Sequence, residues 1–238
     1  MKIRRLPETD LARIAPLPRD QQRRQLEQMR NGRPPFSYAP LRGCFHDIFN
    51  VQPEMFGPVV ATDWAVIEAL LKRKCCSDDE LRSNLAVAKG LHQFTADAGL
   101  LGRAQEFFPL AMGTGQKVAY WLPLILSLDG RPIVPFIDPR RSRALTREAR
   151  RFVFSMMHER IRAADPDYEA VRLGVFQFGD VAEGQRNPIL HTDENVVLFS
   201  LEEMETMVEA TYSLWREVCE ERDVETRRKG TGTSGPLI

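Results

Sequence analysis

Apolar residues recur at three- and four-residue spacing in four stretches of the chain, each following a residue able to cap a helix. Asp63 precedes Trp64, Val66, Ile67, Leu70 and Leu71. Ser77, with Glu80 three residues on, precedes Leu81, Leu85, Ala88 and Leu91 and reads as a capping box; Gly99 is the stop. Thr146 precedes Phe152, Val153, Met156, Met157 and Ile161, which predicts a helix over 147–162 ended by Asp165-Pro166-Asp167. Ser200 with Glu203 makes a second capping box. It opens a long helix carrying Leu201, Met204, Val208, Tyr212, Trp215 and Val218.

The pattern changes between residues 118 and 137. Val118 to Leu128 is a run of apolar and aromatic residues, Asp129-Gly130 is a preferred two-residue hairpin turn, and Arg131 to Ile137 is the return strand. Pro132 and Pro135 predict an edge position or a bulge for that return strand. Val171–Phe178 and Asn195–Phe199 read as two further strands. Helices, a hairpin, a helix, two strands and a last helix make a mixed α/β (α+β) fold, not the strict alternation of a doubly wound sheet. The expected architecture is a small mixed sheet built on the central hairpin, flanked by helices, with a long C-terminal helix. No internal repeat is visible.

Residues 1–45 differ from the rest. Ten lysines and arginines face four acids there, an excess of six positive charges. One short helix, opened by Pro18 and closed by Gly32 and Pro34-Pro35, is predicted over Gln21–Arg30. Its few apolar residues call for a partner surface. The reading is a basic N-terminal arm (1–45) that packs apart from the core or onto a partner, a single α/β core domain (46–228) and a flexible polar tail (229–238).

Composition narrows the function classes without choosing one. The 238 residues carry a formal net charge of zero, so no global field drives the chain to nucleic acid or to a membrane. Cys44, Cys75, Cys76 and Cys219 fit no zinc spacing and read as thiols of a reducing compartment. With no apolar stretch after the charged N-terminus and no long apolar run, a cytoplasmic protein without membrane contact is expected.

The densest chemistry is Arg140, Arg141, Arg143, Arg147, Arg150 and Arg151, with Asp138 and Glu148 the nearby acids. Guanidinium forks bind phosphate oxygens bidentately. Arginines at a helix start oppose its dipole, which makes their placement notable. Two readings stand open: a phosphate- or nucleic-acid-binding segment (Arg141, Arg143, Arg147, Arg150, Arg151), or an ion-pair web to the glutamates of the last helix, Glu202 to Glu221. His46, His158 and His191 each have an acid close by, but none makes a metal helix motif, and they read as surface or capping histidines. Gly113-Thr114-Gly115-Gln116-Lys117 resembles a phosphate loop only superficially, because it precedes a strand; it reads as a flexible entry to the hairpin. Phe107-Phe108 reads as core.

The strand, tight turn and strand ending in Ile137-Asp138-Pro139-Arg140 resemble the PD-(D/E)xK nuclease superfamily, in element order, over about residues 60–180. The resemblance implies catalytic candidates. Asp138 stands for the second acid and Arg140 for the lysine, with Mg2+ as cofactor if the nuclease reading holds and Glu68, Glu80 or Glu106 as a further ligand. Leu124 stands where the family has its aspartate, and Pro139 interrupts the acid-x-base pattern, so the implied active site is degenerate. The leading expectation is therefore a nucleic-acid-associated protein with a nuclease-like core. The first alternative is a non-catalytic interaction or assembly protein, binding a partner or a second copy through its arm. The second is an enzyme acting on a small anionic metabolite.

Overall fold

Two apolar cores lie on opposite faces of one five-stranded sheet, which explains why the chain alternates between strand-like and helix-like patterning. The computed structural model describes residues 5–29, 37–51, 60–112, 116–182 and 184–230. The helices are α1 (Glu8–Ile14), α2 (Arg19–Glu27), α3 (Ala39–Arg42), α4 (Phe45–Ile48), α5 (Trp64–Lys74), α6 (Asp78–Asp97), α7 (Arg147–Met157) and α8 (Leu201–Gly230). The strands are β1 (Leu101–Ala104), β2 (Leu110–Met112), β3 (Gln116–Val118), β4 (Leu124–Leu128), β5 (Arg131–Ile137), β6 (Arg172–Ala182) and β7 (Gln185–Thr192). The main sheet has the order β1-β4-β5-β6-β7, and β2 and β3 form a small separate pair. All pairs are antiparallel except β5 with β6. This is the mixed α/β fold with a long C-terminal helix that the sequence pattern predicts.

The hairpin turns where expected. Leu128 pairs with Arg131, and the two turn residues between them both have positive φ, 53° at Asp129 and 70° at Gly130. That is the primed turn matching the strand twist. The first strand is shorter than its apolar run: the chain leaves the ladder between Val118 and Leu124, where Leu122 N donates to Pro135 O. The edge position expected for β5 is corrected, since β5 lies third of five strands. The prolines fit because neither removes a ladder bond. Pro132 precedes the first β6 partnership, Ile133 with Arg172, and Pro135 lies past the last β4 partnership, Leu126 with Ile133.

Side-chain parity assigns the two faces. Val134, Phe136, Leu173 and Val175 face α1, α7 and α8, while Ile133, Ile137, Phe176 and Phe178 face α3 to α6. The caps read from sequence are formed: Asp63, Ser77 and Thr146 accept from Ala65 N, Glu80 N and Ala149 N. Ser200 and Glu203 bond reciprocally. Glu80 reaches Cys76 N instead of Ser77 N, and it also accepts from Ser37 N, which ties the chain before α3 to α6. Asn195–Phe199 is not a strand; Phe199 N is held by Ser155 Oγ instead. The strand in that region is β7, unforeseen because Gln185, Arg186, Asn187 and Pro188 break any apolar alternation. Gly90 lets α6 approach β7, since a Cβ there would lie 1.9 Å from Arg186 O.

The arm does not pack apart from the core. Leu11, Ala12, Ile14 and Leu26 are fully buried in the same cluster as α7 and α8. Tyr120 Oη donates to Glu8 O at 2.8 Å, Arg222 donates to the carbonyls of Leu26 and Glu27, and Arg23 pairs with Glu221. The apolar residues of the segment are few, but they fall on one stripe, and that is enough to dock two short helices. The predicted stops Gly32 and Pro34-Pro35 and the tail residues 231–238 lie outside the described residues; α8 itself runs to Gly230. If α1 belongs to the core, Leu11→Ala lowers stability by roughly 2–5 kcal/mol, as a buried cavity does. Denaturant unfolding checks this, and a loss within about 0.5 kcal/mol, typical of a surface change, would place α1 outside the cooperative unit.

Candidate functional site

The chain leaves β5 at Asp138, which is fully buried. A carboxylate can remain there only if its oxygens are bonded. Oδ2 accepts from Leu145 N at 2.9 Å, and Oδ1 accepts from Arg140 Nε at 3.0 Å. Arg140 also donates to Asp10 of α1 at 2.9 Å, and Arg13 pairs with Asp10 at 3.3 Å. Burial, ahead of the neighbouring charges, lowers the Arg13 pKa. Asp138 and Arg140, the catalytic candidates, thus form a knot that folds the 138–146 loop and pins α1 against it. The three carboxylates considered as further metal ligands are elsewhere: Glu80 caps α6, Glu68 pairs with Lys72 on α5, and Glu106 is in the loop between β1 and β2. Among the described residues, no group of three or more His, Cys, Asp or Glu side chains is gathered around a possible metal position.

The arginine segment divides into distinct environments. Arg141 pairs at 3.4 Å with Asp180, both largely exposed. Arg143 is exposed with φ 58°. Arg147 is exposed on the first turn of α7. Arg150 donates to Gln177 Oε1 at 2.8 Å and to Leu145 O at 3.2 Å. Arg151 donates to Val197 O at 2.6 Å, and its guanidinium carbon lies 3.6 Å from the centre of the Phe199 ring. Among the described residues, the ion pairs of this segment do not reach α8. Glu217 and Glu221 of α8 are taken by Arg19 and Arg23 of α2. The web between the arginine segment and the last helix is therefore replaced by one between the arm and that helix.

Arg147, Arg150 and Arg151 line a cleft of about 770 Å³ between α7 and β7 with the turn that follows it. His191 and Thr192 of β7 form the opposite wall, and Glu148 and Glu194 also line it. The wall is held by Asp193, which takes Arg162 at 2.5 and 3.2 Å and also accepts from Leu173 N. Burial, and then the charge of Arg147, lowers the Arg150 pKa. Burial, and then Arg150, lowers the His191 pKa from its ordinary 6.5. Sequence reading found the arginines but not His191's place among them. The missing signal is β7 itself, because the pairing of β7 with β6 is what brings residue 191 opposite α7.

Two outcomes follow from these contacts. Asp138→Ala leaves Leu145 N without its acceptor and Arg140 with Asp10 alone, so stability falls by roughly 3 kcal/mol, and Tm by roughly 6–12 °C. An unchanged Tm would show that the knot does not hold the loop. For His191 the folded pKa is the lower one, so the unfolded chain takes up the proton first. Stability is then complete above the ordinary value of 6.5 and declines as pH falls below it toward the folded pKa. His191→Gln should flatten that decline, read as Tm near neutrality against Tm at about pH 5; parallel curves for the two proteins would contradict it.

Comparison with known proteins finds a family and a relative that match nearly the whole chain. The family described as "Sliding clamp-binding bacterial toxin SocB" matches residues 9–225, from α1 into α8. A relative described as "DNA replication inhibitor toxin SocB", from Caulobacter vibrioides, is 37% identical over 234 residues, which cover 98% of each chain. No solved structure matches. The family description names a protein ligand, the kind of partner expected under the interaction alternative rather than the nuclease reading.

Proposed function

This chain belongs to the SocB family of sliding clamp-binding bacterial toxins, and on that premise we propose that it binds a bacterial sliding clamp and thereby inhibits DNA replication. The observation that carries the proposal is the extent of the likeness. It runs through both cores, from the first helix of the arm into the last helix, so the unit that folds here is the unit described in the relative as a toxin. A binding role also suits the chemistry of the molecule. Asp138, the leading catalytic candidate, is committed to a loop, and the arginines that suggested phosphate binding are partly spent on carbonyls and on Gln177. An inhibitor that works by occupancy needs a surface, not a reaction centre.

Protein recognition commonly rests on a few large apolar or aromatic anchors. Two places in this chain offer them. Met55 and Phe56 are adjacent in Gln52-Pro53-Glu54-Met55-Phe56-Gly57-Pro58, the sequence joining α4 to α5, which lies outside the described residues. Phe108, in the loop between β1 and β2, is 74% exposed although the sequence reading put it in the core. The test mixes the purified protein with a bacterial sliding clamp and follows complex formation by calorimetry, alongside clamp-dependent primer extension. The expected result is a stoichiometric complex and slowed extension, both lost in either the Met55→Ala/Phe56→Ala protein or the Phe108→Ala protein. Absence of any complex would sink the proposal. Salt-sensitive binding to DNA without the clamp would favour the nucleic-acid reading instead.

A further inference from the structure

β7 is the last strand of the five, and the cleft beside α7 opens onto it. The ladder determines which of its backbone groups point outward. Asp138 N donates to Phe176 O, so Phe176 turns its peptide groups toward β5. Leu190 lies opposite Phe176, and Thr192 opposite Gly174 two residues along. In an antiparallel pair, facing residues either bond each other or turn away together. Leu190 and Thr192 therefore direct their N–H and C=O groups away from β6, and both residues line the cleft. α6 abuts β7 at Arg186 O, but among the described residues no strand pairs with β7 on this side at Leu190 and Thr192, and an edge of this kind is a template for another strand.

The charge beside that edge is unbalanced. Arg147 makes no ion pair among the described residues, and the bonds of Arg150 go to neutral groups. The two guanidiniums repel each other, and His191 of β7, under the influence of burial and of Arg150, favours its neutral form. Glu148 and Glu194 at the cleft disfavour a continuous polyanion, yet Glu148 is drawn to Arg151 and leaves Arg147 uncompensated. Next to these charges Val197 presents an apolar surface that is 77% exposed.

We propose that this cleft receives an extended segment of a partner protein, which adds to the β7 edge, sets one carboxylate on Arg147 and Arg150, and lays an aliphatic residue on Val197. Main-chain bonds to Leu190 and Thr192 supply affinity, and the carboxylate supplies selectivity. Successive side chains of an added strand alternate in direction, so only every second residue faces α7. The segment therefore carries its acidic and aliphatic residues on one face. The inference is independent of the clamp reading, since it specifies the chemistry of the segment and not the protein that bears it.

The test selects a phage-displayed library of random linear peptides on the full chain, and the enriched sequences are resynthesised with fluorescein. They are expected to carry Asp or Glu with an aliphatic residue at alternating spacing. Binding to the Arg147→Glu protein is expected to be at least about tenfold weaker, the scale of a lost charge pair at an interface. Thr192→Pro removes one outward N–H and should weaken binding comparably. Backbone N-methylation of the peptide at alternate residues makes the same test on unaltered protein. Unchanged melting temperatures of the two variants show that their losses are local. Failure to enrich any sequence, enrichment of sequences without an acid, equal binding by the Arg147→Glu protein, or displacement of the peptides by single-stranded DNA would each overturn the proposal.

Discussion

The parallel pairing of β5 with β6 is the constraint around which the rest of this structure is arranged. Two antiparallel strands can be joined by a tight turn, as β4 and β5 are, but a parallel neighbour has to be reached by crossing back over a face of the sheet. Here α7 makes that crossing, and its apolar residues Phe152, Val153, Met156 and Met157 pack on the face shown by Val134, Phe136, Leu173 and Val175. The crossing starts at the end of β5, where the chain reverses over a buried carboxylate. Asp138 holds that reversal by bonding Leu145 N, one residue before the Thr146 cap of α7. The position of α7 relative to β7, and with it the cleft, follows from this loop.

What could be read from the sequence, and what could not, divides along the range of the interactions. The Asp129-Gly130 turn and the caps at Asp63, Ser77, Thr146 and Ser200 are local contacts, each formed within a few residues, and all of them occur. The place of β5 was misjudged because a proline is harmful only where a partner needs its N–H, and partner positions are set by strands far along the chain. β7 was missed for a related reason. Arg186 is 3% exposed, and it is buried because its guanidinium meets the carbonyls of Phe178, Gly179 and Pro139. No spacing rule foresees a buried arginine whose partners are supplied by the preceding strand and a distant loop. The site arginines were visible as a cluster, but their division among Asp180, Gln177, Val197 and the open cleft depends on that same unforeseen strand.

The zero net charge conceals a sorting of charges by element. The excess of cations in the arm meets part of the excess of anions on α8, through Arg19 and Arg23 with Glu217 and Glu221. Exposed pairs of this type contribute only about 0–1 kcal/mol each, so they orient α2 on α8 more than they hold it. The holding is done by Leu26, which is fully buried, and by Arg222 donating to the last carbonyls of α2. Leu26 O already accepts from Met29 N at 3.1 Å, and a cation at these C-terminal carbonyls also complements the helix dipole. The arm, expected to pack apart from the core or onto a partner, finds its partner surface in the acidic last helix of the same chain.

The residues that build the fold and the residues proposed to bind a partner are different ones in this molecule. The side chains that build the two cores are buried almost without exception, and the buried charges Asp138 and Arg186 are bonded within the chain. Phe108, Val197 and Arg147, by contrast, stand exposed at the surface. Exposed residues of this kind contribute little to stability, and substitutions there usually change it by no more than about 0.5 kcal/mol. A protein that acts by occupying another protein can therefore alter its contacts at such positions without endangering its fold. An enzyme whose reacting groups were Asp138 and Arg140 would have no such freedom, because the same two side chains close the loop from which α7 and the cleft are built.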